Sequence, residues 1–194
     1  MQKFLVSLCS VCVLLVGGFY LLNSYIYNEK QGDQKPAQNP KDATYVIEGK
    51  VVTLQNGVSE MEIMPGSASK IITRYFGNEL KTDLDGDGPD DVAFLLTQEG
   101  GGSGTFFYAV AALNTNAGYI GSDGYPLGDR IAPQSTNLSP NPRHKYVIVV
   151  NYADRAPGEP MTTRPSVGKS AYLKLSPATM QWGIVEPDFE GESR

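Results

Sequence analysis

The sequence predicts an all-β domain, a single sandwich or partly open barrel of about eight strands, preceded by an N-terminal transmembrane helix. Three observations point there. Short runs rich in β-branched and aromatic residues follow one another after residue 44, and turn residues separate them. No stretch of the domain carries an apolar stripe of helical period. The first 22 residues, by contrast, are almost uniformly apolar.

Residues 4–22 contain no charge. As a helix rising ~1.5 Å per residue they just span a hydrocarbon core of roughly 30 Å. No A-x-A-like cleavage signal follows, so residues 1–27 read as an uncleaved signal-anchor that passes the membrane once. Lys3 and the terminal amine keep the start of the chain inside, while Tyr20, Tyr25 and Tyr27 suit the outer interface. The remainder is therefore expected outside the cytoplasm. Residues 28–43, "NEKQGDQKPAQNPKDA", are polar, carry Pro36 and Pro40 and lack apolar periodicity, which predicts a flexible linker. The β domain is placed at 44–190 and a short tail at 191–194.

Within the domain, "YVIEGKVVTLQNGVSEMEIM" predicts a hairpin turning at Asn56-Gly57, because Asn and Gly accept the positive φ of a two-residue turn. "KIITRYF" (70–76) is a further strand. "VAFLLTQ" (92–98) and "TFFYAVAAL" (105–113) are nearly continuous apolar runs, as expected of central strands buried on both faces. "KYVIVVNY" (145–152), "SAYLKL" (170–175) and "QWGIVE" (181–186) complete the set. Between the last runs, residues 153–168 form a proline-rich connection, expected to be ordered by docking Met161 and Val167 on the sheet.

The 16 basic and 21 acidic residues give a net charge of −5, which offers no basic surface for a nucleic acid. Both cysteines, Cys9 and Cys12, lie in the apolar N-terminus, so the outer domain has no disulfide, and their C-x-x-C spacing lacks the polar setting of a redox or zinc motif.

The acidity is local. Residues 83–91, "DLDGDGPDD", hold five aspartates, and without them the formal charge would be zero. Asp83, Asp85 and Asp87 stand at loop positions 1, 3 and 5, Gly88 at 6 allows a sharp bend, Pro89 at 7 offers its carbonyl, and Asp91 falls at 9. That oxygen-rich pattern suits a hard cation, and Ca²⁺ fits best because it accepts six to eight oxygens in loose geometry. Bare carboxylates about 5 Å apart would repel by roughly 1 kcal/mol per pair in water and about 3 at an intermediate dielectric. An EF-hand is disfavoured, since position 12 is Phe94 and the flanks read as strands.

The loop resembles the calcium loops of FG-GAP repeats, where D-x-[DN]-x-D-G-x-x-D joins two strands. The resemblance implies a calcium-stiffened hairpin, with Asp83, Asp85, Asp87 and Asp91 as side-chain ligands and Pro89 as carbonyl ligand; the chain departs from that family in having one loop rather than a propeller's set. From about residue 45 to 190, "GSASKIITRYFGNE", "GGSGTFFYAVAALNT", "LGDRIAP" and "VNYADRAPGEPMTTRPSVGKS" are similar to short, membrane-anchored bacterial envelope proteins of unassigned function. That likeness implies a single-pass protein of the bacterial cell membrane and carries over no catalytic residue.

Enzyme signatures are incomplete. Ser67-x-x-Lys70, Ser135-x-Asn137 and Lys169-Ser170 follow the order of penicillin-binding proteins, but that chemistry needs its serine at a helix start, and Lys70 opens a strand-like run. "GGSGT" around Ser103 is not G-x-S-x-G, and "GKS" at 168–170 lacks the first glycine of a phosphate loop. His144, the sole histidine, lies between Arg143 and Lys145 and reads as solvated. Glu60, Glu62, Asp154 and Glu159 cannot be paired for glycoside chemistry from sequence alone. The expectation is thus an envelope binding or structural module with one Ca²⁺ loop and a protein or glycan partner. The alternative is a calcium-dependent hydrolase with a pocket near the 153–168 loop.

Overall fold

The computed structural model describes residues 34–187. The expected signal-anchor, the first part of the expected linker and the tail lie outside the described residues. Among the described residues no helix is long and apolar enough to cross a membrane. The described residues form twelve strands and one 3₁₀ turn, Pro40–Asp42, so they are all-β with more strands than the eight expected.

The first two strands, β1 (Thr44–Ile47) and β2 (Lys50–Thr53), form a two-stranded antiparallel sheet. Their turn is Glu48-Gly49, with φ of 50° and 76°, and not Asn56-Gly57 as the sequence suggested. Asn56-Gly57 is a turn of the same kind, with φ of 52° and 82°, but it carries the chain from this small sheet into the large one. An Asn-Gly signal reports local backbone preference and is blind to which sheet each flank joins.

The large antiparallel sheet runs β3 (Val58–Glu62), β4 (Lys70–Thr82), β5 (Asp91–Gly100), β6 (Phe106–Thr115) and β7 (Gly118–Gly121), with β8 (Tyr125–Asp129) also paired to β6. The smaller sheet has the order β12 (Gln181–Ile184), β11 (Val167–Ser176), β10 (Val147–Asp154), β9 (Ala132–Leu138). Neither sheet closes on itself.

Alternation along β5 and β6 explains their unbroken apolar sequence. Ala93, Leu95, Phe107, Ala109 and Ala111 pack against Ile148, Val150, Leu173 and Leu175 of the four-stranded sheet. Val92, Phe94, Leu96, Tyr108 and Val110 pack on the opposite face against Tyr45, Ile47, Val52 and Leu54 of the hairpin. The central strands are thus covered on both sides, as the sequence predicted.

Strands β7, β8 and β9 went unseen in the sequence. "GYIGSDGYPLGD" is rich in glycine and lacks period-2 alternation, so it reads as turns. Its backbone is nonetheless paired: β7 and β8 share one flank of β6, and Ser122 bridges the break by exchanging bonds with Ala111 (Ser122 N–H to O, 2.8 Å; Ala111 N–H to Ser122 Oγ, 2.8 Å). The last residues of the expected linker also join the fold. Ala37 exchanges two backbone bonds with Tyr119 (2.9 and 2.7 Å), Asn39 caps the 3₁₀ turn, and Ala43 is buried.

Candidate metal centre

Residues 83–90 connect β4 to β5, and the Thr82–Asp91 pair closes the loop. Strands flank it on both sides, as expected. Gly86 and Gly88 take φ of 88° and 105°, a region that side chains disfavour. At Gly86 space matters as well, because a Cβ there would lie 2.9 Å from the Tyr146 hydroxyl, which rests on the loop.

Asp83, Asp85 and Asp91 each offer a carboxylate oxygen within 4.8 Å of the others. Asp91 is fully buried, while Asp83 and Asp85 are half-buried. Asp87 is exposed and outside that group; its amide donates to Asp85 Oδ1 at 3.0 Å. Asp83 Oδ1 accepts the Gly86 N–H at 2.6 Å. Pro89 is exposed at the loop's outer side, next to the exposed Asp90.

Asp91 is anchored at two points. Its Oδ2 accepts the Leu84 N–H at 2.8 Å and its Oδ1 the Asn114 N–H at 2.7 Å. Burial pushes its carboxyl above the usual aspartate range, the two amides pull against that, and the negative charges of Asp85 and Asp87 add to the rise. Loss of hydration raises Asp87 too, with Asp85 and Asp83 contributing. A carboxylate cluster with raised proton affinity is one that a divalent cation would relieve. The set is all oxygen, which fits a hard cation and excludes a soft one.

Asn114 and Tyr146 were not found from sequence. Asn114 ends the apolar run of β6, and its side-chain amide also donates to the Asp90 carbonyl at 3.2 Å. No sequence signal links positions 23 residues apart; only strand register does. His144 differs from expectation. It is half-buried, its Nδ1 lies 2.9 Å from Ser139 Oγ, and its ring meets Tyr172 edge-on at 5.9 Å.

The enzyme-like fragments are engaged elsewhere. Ser67 sits in the β3–β4 turn, where its Oγ accepts the Ser69 N–H, and Lys70 pairs with Glu60 at 2.8 Å. Ser135 and Asn137 lie on β9 and bond each other, while Lys169 on β11 pairs with Asp154 at 2.7 Å. The 153–168 connection is ordered by polar bonds and not by apolar docking. Met161 and Val167 are exposed, whereas Arg155 Nε donates to the Thr163 carbonyl at 2.6 Å and the Ser166 N–H to the Asp154 carbonyl at 2.9 Å.

Two clefts flank the acidic loop. One, about 460 Å³, lies between Asp83 and the 138–146 segment. The other, about 520 Å³, lies between the 38–41 segment and the strands that carry the loop. Neither draws on residues 153–168. No protein-family model, no curated protein and no solved structure matches the chain.

Proposed function

We propose that the chain is a membrane-anchored, extracytoplasmic β module of the bacterial envelope, in which one calcium loop fixes the β4–β5 hairpin and the domain serves binding or structure. The observation that carries the reading is Asp91, a buried carboxylate with Asp83 and Asp85 oxygens within 4.8 Å. Asp83, Asp85 and Asp91 would hold the ion, with Asp87 and the Pro89 carbonyl completing its shell from the exposed side. Bound there, Ca²⁺ would convert mutual repulsion into attraction and tie the loop to β6 through the Asp91–Asn114 bond. The uncharged run 4–22 supports the anchor, and the resemblance of residues 45–190 to envelope proteins supports the envelope setting.

The reading is tested by melting the full chain, kept in detergent, with excess chelator and then with millimolar calcium. A ligand selective for the folded state at 100 times its dissociation constant stabilises by about 2.7 kcal/mol. Calcium should raise Tm and magnesium should do so much less. Asp85→Ala should abolish the shift, while Asp87→Ala should retain part of it. Identical curves would leave the loop as a solvated acidic turn. Protease added to intact cells should remove the domain from residue 45 onward, and full protection would overturn the outward orientation.

A further inference from the structure

We infer that the cleft between the 38–41 segment and the strands that carry the acidic loop is a binding site for an uncharged saccharide. Gln38, Lys41, Glu79, Lys81, Asn114 and Tyr119 are among its lining residues. At about 520 Å³ it falls within the range of small-ligand sites.

The charged residues of this lining sum to zero. Lys41 and Lys81 are balanced by Glu79 and Asp90. Lys41 Nζ sits 3.9 Å from the centre of the Tyr75 ring, the Tyr75 hydroxyl donates to Glu79 at 3.0 Å, and Lys81 lies 3.5 Å from Glu79. With no net charge in the lining, neither sign of ligand charge is favoured overall. What remains is neutral hydrogen-bonding capacity. The Gln38 side chain is exposed and has no partner among the described residues. The Asn114 side chain donates one of its two N–H groups to the Asp90 carbonyl and retains the other N–H and its oxygen. The half-buried Tyr119 is the aromatic residue of the lining, and Val92, which also lines it, is buried. Amide donors and acceptors around one aromatic ring match a pyranose, which offers hydroxyls at its edge and C–H groups on its faces.

The site is also preformed, which lowers the ordering cost of binding. Tyr119 is fixed by its two backbone bonds to Ala37, and Asn114 by its bond to Asp91. This inference rests on reading the domain as a binding module and does not require the cation.

The test follows backbone amide shifts of the full chain in a sugar-free detergent, titrated with maltose, cellobiose and N,N′-diacetylchitobiose, and separately with phosphate and acetate. At least one disaccharide should give saturable shifts at Tyr119 and Asn114. Gln38→Ala should weaken it about fivefold and Tyr119→Ala about tenfold. Because Tyr119 also packs on the core, the exposed Gln38 provides the variant that leaves folding intact. The inference fails if no disaccharide saturates, if phosphate or acetate binds more tightly, or if both variants bind as the parent does. A calcium titration read at Gly86 and Asp87 reports the loop separately, so either reading can fail while the other stands.

Discussion

Asp91 Oδ1 accepts the backbone N–H of Asn114 at 2.7 Å, and this bond fastens the acidic loop to the end of the most buried strand pair. Its partner oxygen holds the Leu84 N–H, so one carboxylate satisfies two backbone donors at the point where β5 begins. Asp91 is therefore structural before any cation is considered.

Asp91→Ala should destabilise the chelator-treated chain by about 3 kcal/mol, because the buried Leu84 N–H and the part-buried Asn114 N–H lose their acceptor. Asp91→Asn should fall between, since its amide oxygen satisfies one donor while its NH₂ opposes the other. Asp90→Ala should lie within about 0.5 kcal/mol of the parent, as Asp90 reaches Asn114 through its backbone carbonyl. Chemical denaturation measures all three. An Asp91→Ala chain as stable as the parent would rule out the anchoring role.

Arg155 organises the proline-rich connection. Besides the Thr163 carbonyl, its guanidinium reaches the carbonyls of Arg130 at 3.1 Å and Asp129 at 3.4 Å. Arg155→Ala should cost about 2 kcal/mol and speed hydrogen exchange at Thr163 and Ser166, leaving the β10–β11 ladder protected. Unchanged exchange at those two amides would show that the loop is held by something else.

The Asp154–Lys169 pair sets a pH dependence. The hydrogen bond from Lys169 holds the Asp154 carboxyl below its ordinary range, and Asp154 raises Lys169 in turn. A depressed acid stabilises above its unfolded pKa of about 3.9 and loses that contribution as pH falls through the folded value; a raised lysine stabilises below about 10.4 and loses it as pH climbs. With Lys169 half-exposed, the pair contributes under about 1 kcal/mol. The Tm gap between parent and Lys169→Met should be steady from about pH 5 to 9 and should close below about pH 4. A gap that persists in acid would assign the effect to packing of the lysine stem.

Features that depend on neighbours along the chain are legible in the residues alone. The β class follows from residue type and turn chemistry, and burial of 92–96 and 107–113 on both faces follows from their unbroken apolarity, while Phe106 at the end of its run stays exposed. The spacing of Asp83, Asp85 and Asp87 and the glycine at 88 likewise announced a tight acidic loop between strands. Tertiary structure decided what depends on register between distant segments. It assigned Glu48-Gly49 and Asn56-Gly57 to different tasks, paired the glycine-rich 118–129 stretch with β6, and drew Ala37 against Tyr119. It also buried Asp91 beside Asn114 while leaving Asp87 in solvent, although both are aspartates of one short loop. Local propensity cannot make that distinction, because a carboxylate's role depends on the hydration it loses and the backbone donors it meets, and both come from strands far away in sequence.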